Sequence, residues 1–451
     1  MRIEKDSMGE VEVPENALWK AQTQRSLNNF KIGKEKIPYE IIVALLHIKK
    51  ACAKANYDKN NLDEKRKDLI VKACDKLLND NYISSFPLSV WQTGSGTQTN
   101  MNVNEVISSI CKEIDPSIDI HPNDHVNKSQ STNDTFPSAM HIATIIETNK
   151  TIKSIEKIIE TFKKLEKDYK DIVKIGRTHL QDAVPLRLSD ELSAYRYSIE
   201  KDLYYIKSAN DNLKEIPVGG SAVGSGLNVK EGFDKSVCNY LKEDLGIEIK
   251  PMNNKFFGLS SKSVFSNING SYNSLATDLF KIANDIRYLS SGPRCGLGEL
   301  EIPANEPGSS IMPGKVNPTQ AEALIQVCAQ VMGNNTTVTV AASSGNFELN
   351  VFMPVIIYNT LQSARLLTDS IDSFNKNLLI GLKPNYEKID YFLKNSLMLV
   401  TALSPYIGYD KASSLAKYAH KEKITLKEAN LKLNYLSEEE FDRLTDPKNM
   451  I

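Results

Sequence analysis

The run Gly308-Ser309-Ser310-Ile311-Met312-Pro313-Gly314-Lys315-Val316-Asn317-Pro318 carries adjacent hydroxyls, an ammonium and an amide, with no acidic residue among them. Glycine and proline at this density mark a loop rather than a helix interior. A loop with a single positive charge and two neighbouring hydroxyls suits an anion. Its glycines let backbone N–H groups come close, and Lys315 supplies a point charge. Taken alone, such a run reads first as a mobile surface turn.

Other residues of chemical interest are scattered. His179 sits in Gly176-Arg177-Thr178-His179-Leu180-Gln181-Asp182, and Glu322 follows Lys315 by seven positions. Ser95, Gly96, Thr97, Asn100, Ser131, Thr132, Asn133 and Thr178 offer neutral hydroxyl, amide or backbone donors, each readable singly as a cap or turn residue. His121 and His125 are four apart, but no further Cys, His or Glu completes a metal-ligand set, so no metal is expected.

Long helices must hold these segments. Leu192, Ile199, Ile206 and Leu213 recur every seven residues, with Tyr195 and Leu203 between them, and nothing breaks Glu191 to Ile216. That spacing predicts a helix of roughly 39 Å. A second apolar stripe runs from Ile142 through Ile145, Ile152, Ile155, Ile159 and Phe162 to Leu165. A third runs from Ile268 through Leu275, Leu279, Ile282 and Ile286 to Leu289, and a fourth from Ile357 through Leu361, Ala364, Ile371 and Phe374 to Leu378. Long apolar seams pack as a bundle, within one chain or between subunits. Gly- and Asn-rich breaks lie at Val218 to Gly226 and at Gly292 to Gly296. Lys383-Pro384-Asn385 marks the expected start of a small C-terminal domain.

With 451 residues, the chain is long enough for about three domains at roughly 150 residues each. It holds 55 Lys+Arg against 56 Asp+Glu, a balance that gives no support for binding nucleic acid or an acidic membrane surface. Cys52, Cys74, Cys111, Cys238, Cys295 and Cys328 form no Cys-x-x-Cys pair, which fits a reducing compartment better than a disulfide framework. The N-terminus lacks the apolar run of a secretory signal, and no stretch has the length of a membrane span.

Six segments, in order along the chain, resemble the fumarase/aspartase superfamily and, within it, the class II fumarate hydratases. They are Thr93 to Glu105, His121 to Asp124, Lys128 to Asp134, Gly176 to Asp182, the Gly308 to Pro318 signature loop, and Gly345 to Val351. The resemblance implies an all-α, three-domain fold (1–130, 131–383, 384–451) whose central long-helix bundle forms the core of a homotetramer. It implies reversible hydration of fumarate to (S)-malate without a cofactor, in the cytoplasm, at sites shared between subunits. Ser309 would be the base, and Lys315, Val316, Asn317 and Ser310 would hold a substrate carboxylate. His179, with Glu322 as its carboxylate partner, would stand on the acid side, its proton passing through a bound water. Ser95, Gly96, Thr97, Asn100, Ser131, Thr132, Asn133 and Thr178 would complete substrate binding, and His121, Pro122, Asn123 and Asp124 would form a secondary anion site.

Some positions depart from the family pattern. Thr132 replaces a common Ser, His125 a common Asp, Met353 a common Lys, and Ser189-Asp190 a common Gly-Gln. The nearest rival within the superfamily is aspartate ammonia-lyase, whose counterpart of His179 is commonly Gln. A rival from another class is a non-catalytic helical scaffold. His179 and Gln98 favour the hydratase, and a retired enzyme would be expected to lose catalytic groups that are present here.

Overall fold

The computed structural model describes residues 1–308 and 310–451. Helices dominate. Five of them are long: Thr132–Asp168, Leu188–Asp211, Ser263–Leu289, Thr319–Ala342 and Met353–Asn377. Apart from Leu213 and Leu378, which lie just past helix ends, the four apolar stripes lie in four of these and are largely buried, as their periodicity requires. The strands form four two-stranded ribbons among the described residues, so the fold is all-α with small β additions.

One expectation changes, and one long helix was not foreseen. The helix expected to run to Ile216 ends at Asp211, followed by a 3₁₀ turn at Asn212–Lys214 and a short strand at Glu215–Ile216. The run Asn210-Asp211-Asn212 is poor in helix propensity, and Pro217 disfavours a helical Ile216. The helix Thr319–Ala342 had no clear stripe, because apolar and small residues lie on most of its faces. Val340, on this helix, is 62% exposed.

The chain divides into two compact units. One comprises 1–152, 204–274 and 329–367, the other 153–203, 275–328 and 368–451. All of the dividing points fall within the five long helices.

In the first unit, buried polar pairs cross between helices. Asn269 Nδ2 donates to Thr360 Oγ1 at 2.8 Å, Thr148 Oγ1 and Tyr272 OH are 2.6 Å apart, and Asn334 Nδ2 donates to Ser363 Oγ at 3.1 Å. Such pairs fix which helix faces which, since a register slip would leave further polar groups dry and unpaired. The helix Ala21–Asn29 has its N-terminal N–H groups met by a distant carboxylate. Buried Glu105 accepts from Lys20, Gln22 and Thr23 N–H and from the Thr23 hydroxyl. That contact pins the start of helix Ala21–Asn29 to the middle of the helix Thr97–Ile114, which holds Glu105.

In the second unit, Tyr195 OH donates to Asp285 Oδ2 at 3.0 Å, and Ser373 Oγ donates to Gln320 Oε1 at 2.7 Å. Its C-terminal part has an apolar core of its own, built on Leu403, Leu415, Ala419, Ala429 and Phe441. No described helix is long and apolar enough to cross a membrane.

Candidate active site

The signature loop folds back on itself. Gly308 and Pro313 form an antiparallel bridge, and Lys315 N–H donates to Met312 O at 3.3 Å. Gly308 has φ +86°, and a Cβ there would lie 2.1 Å from Lys315 O, so no other residue fits without moving the loop. Ser309 itself lies outside the described residues. Ser310 and Lys315 are exposed and Asn317 is half-buried. Helix Thr319–Ala342 begins directly after Pro318. Its first turn carries Glu322, half-buried, whose N–H donates to Pro318 O at 3.0 Å. A cavity of about 1080 Å³ is lined by Lys315, Val316, Asn317 and Glu322 together with Arg287 and Arg294. Glu301 lines it too, so three cationic groups stand against two carboxylates, a small cationic excess that suits an anion.

Thr178 and His179 stand on a β-hairpin within this largely helical chain. Strand Val173–Thr178 pairs antiparallel with Gln181–Arg187. The two turn residues, His179 and Leu180, both have positive φ, 56° and 59°. That is the signature of a type I′ turn, a conformation that favours Asn and Gly. Placing His and Leu there costs free energy, and both are exposed at the tip.

The hairpin is held from beneath. Glu299, 0% exposed, accepts from Arg177 Nη2 at 2.7 Å, and Lys174 Nζ stands 3.2 Å from its other oxygen. Lys174 also bonds Glu191 at 2.8 Å. Gly176 lies at a register shift between Ile175 and Arg177, where a Cβ would come within 2.7 Å of Val184 O. Glu299 was not singled out from the sequence, because a lone Glu beside a Gly-rich loop has no local signal. Among the described residues, His179 and Glu322 make no hydrogen bond or ion pair with each other within this chain.

The neutral donors form a second cluster. Ser95 Oγ and Thr97 Oγ1 are 2.7 Å apart at the start of helix Thr97–Ile114. Asn100 is fully buried, and its Nδ2 donates to Thr132 Oγ1 at 2.9 Å and to Asn127 Oδ1 at 3.1 Å. Ser131 to Asn133 open the helix Thr132–Asp168. Their backbone is tied by buried Asp134, which accepts from Ser131 N–H at 2.9 Å, Gly219 N–H at 2.9 Å and Ser221 N–H at 3.0 Å. Burial pushes the Asp134 carboxyl up to about 6 against the pull of these donors. Asn133 Nδ2 donates to Ala222 O at 2.8 Å. The Gly-rich break at 218–226 thus serves as a backbone partner for this segment.

His121 to Asp124 enter a short π-helical turn, Pro122–Val126. His121 Nδ1 accepts from the N–H groups of Asn123 (3.3 Å) and Asp124 (3.2 Å). A nitrogen accepting these bonds carries no proton, so the Asp124 carboxylate 3.2 Å away is not an ion pair in that state. His121, Asn123 and Asp124 are exposed. His125 Nδ1 accepts the His121 N–H at 2.8 Å, and burial, then the Arg66 charge, holds its imidazole below the usual range. A separate cavity of about 530 Å³ is lined by Arg66, His125 and Lys128. Met353 is fully buried, and its N–H donates to Gly94 O at 3.0 Å, so an apolar side chain suits the position. Among the described residues, no group of three or more His, Cys, Asp or Glu is placed to hold a metal ion.

Comparison with known proteins follows the same lines. Residues 9–333 match the family model described as lyase, and residues 399–451 match that of the fumarase C C-terminus. A class II fumarate hydratase of Wigglesworthia glossinidia brevipalpis is 53% identical over 457 aligned positions, covering 100% of this chain and 98% of the relative. One from Bacillus subtilis is 50% identical, with 100% and 98% covered. The crystal structure of recombinant class II fumarase from Schistosoma mansoni superposes with a TM-score of 0.96 at 42% identity, covering 100% of this chain and 98% of that one. The chain belongs to the class II fumarate hydratase family.

Proposed function

We propose that the protein interconverts fumarate and (S)-malate. The observation that carries this reading is the signature loop, whose Lys315, Val316 and Asn317 line one cavity with Glu322, in a chain that matches class II fumarate hydratases over its full length. In the malate-to-fumarate direction, Ser309 takes the proton from the carbon next to one carboxylate. A second negative charge builds on that carboxylate as the proton leaves. Lys315 and Asn317 therefore gain more from the transition state than from the ground state, which is what lowers a barrier. On the opposite side His179 delivers a proton, through water, to the departing hydroxyl, so that the sum is loss of one water. Glu322 fixes the imidazole tautomer. Ser95, Thr97, Ser131, Thr132, Asn133 and Thr178 hold the dicarboxylate with neutral donors, from which product can leave, and Asn100 serves the same subsite from behind through its bond to Thr132. His121 to Asp124 act as a secondary anion site.

The site is assembled from different subunits of a homotetramer. Support comes from exposed apolar groups on the long helices, among them Tyr197, Tyr204 and Val340, and from the absence of a His179–Glu322 contact among the described residues of a single chain. We place the domains at 1–130, 131–383 and 384–451; the local apolar core of Leu399 to Leu444 supports the last of them. A cytoplasmic location agrees with six free cysteines. Product analysis by NMR decides between hydration and amination. Fumarate supplied with ammonium should give malate and no aspartate, and aspartate as the main product would replace this reading with an ammonia-lyase.

A further inference from the structure

Lys49, on the helix Tyr39–Asp58, is 0% exposed, yet among the described residues it makes no salt bridge. Its ammonium donates to Asn127 Oδ1 and to Gln130 Oε1, both at 2.9 Å. Burial lowers its pKa to about 8, which leaves it charged at neutral pH.

An ammonium can only donate. Asn127 and Gln130 must therefore turn their oxygens toward it. Asn127 then has its amide N–H₂ on the far side, where it donates to Gln130 O at 3.3 Å, and Gln130 Nε2 donates to Val126 O at 3.0 Å. Because the oxygen of Asn127 is the end presented, Asn100 and Asn104 must face it with N–H groups, at 3.1 and 3.2 Å. The same Asn100 amide group donates to Thr132 Oγ1 at 2.9 Å. Thr132 is therefore an acceptor inside this chain of bonds. Its own hydroxyl proton meets no acceptor among the described residues.

The arrangement has a cost. The side-chain oxygens of Asn100 and Asn104 are buried without a partner. Flipping Asn100 would relieve its oxygen only by setting it against the oxygen of Asn127. The orientation is thus imposed from the Lys49 end.

We infer that Lys49 is a positioning residue that sets the direction of this hydrogen-bond chain, leaving the Thr132 hydroxyl proton free to donate to a substrate carboxylate. The inference rests on the reading of Thr132 as a substrate-binding residue. It explains why a lysine is kept dry beneath a subsite built of neutral groups: removing it frees Asn127 to flip, and Asn100 and Thr132 can follow.

The test is a double-mutant cycle on Lys49→Met and Thr132→Val, reading KM, kcat and thermal stability. Wild-type turnover of fumarate checks the functional reading separately. Lys49→Met should raise KM about tenfold or more, the usual effect of losing a hydrogen bond to a charged group, with kcat within a few-fold. Thr132→Val should do the same. The double variant should be no worse than the worse single one, because both remove the same donor. Lys49→Arg, also donor-only, should restore KM where it folds. Unchanged KM in Lys49→Met, or effects that multiply in the double variant, would overturn the inference. If Lys49→Met does not fold, Asn127→Ala takes its place in the cycle. Failure of both to fold would reduce Lys49 to a purely structural residue and also overturn it.

Discussion

At the scale of single residues, the division of labour within the signature loop is the sharpest consequence. If Ser309 is the base, Ser309→Ala removes proton abstraction and leaves the carboxylate clamp. Turnover should fall about 10²–10⁴-fold while a dicarboxylate inhibitor still binds. Lys315→Met should weaken inhibitor binding as well, since it strips a charge-assisted contact from ground and transition states alike. Lys315→Arg should not restore full activity, because a planar fork does not reproduce a point charge. Titration of inhibitor into each variant, beside its turnover, checks all three. Near-normal turnover in Ser309→Ala would place the base elsewhere. The residues of this loop were legible in the sequence because Gly, Pro, Ser and Lys each bring a distinct property to a short run. Lys49, Asn127 and Glu299 were not. A lysine in an amphipathic helix reads as a surface charge, and only tertiary packing makes it a buried donor.

At the scale of elements, the four striped helices were legible because a buried face repeats at helical spacing. Helix Thr319–Ala342 was not, since apolar residues on most of its faces carry no period. The hairpin bearing His179 was not legible either. Its turn is His-Leu rather than the Asn-Gly that would announce a type I′ turn, and its strand is interrupted by a bulge at Gly176. What holds such a turn is the buried cluster of Glu299, Lys174 and Arg177 beneath it. Replacing Glu299 by Ala leaves Arg177 without its carboxylate and Lys174 with Glu191 alone. The loss should be about 3–5 kcal/mol, as for other broken buried pairs. Denaturant unfolding at fixed protein concentration measures this, and a loss below about 1 kcal/mol would show that the cluster does not support the hairpin.

At the scale of the whole molecule, the account requires subunits that exchange catalytic groups. Ser309→Ala and His179→Asn tetramers, each nearly inactive, should regain part of the activity when dissociated, mixed and reassembled. Hybrids verified by mass spectrometry that remain inactive would count against shared sites, and a monomer by light scattering would exclude them. Beneath all of this stands the claim that the chain hydrates fumarate and needs no added metal to do so. The most direct measurement is the ultraviolet absorbance of a fumarate solution after addition of purified, chelator-treated protein. The account predicts a fall to a steady level as malate forms, and approach to the same level from the malate side. An absorbance that stays constant in both directions, with folded protein present, would contradict it.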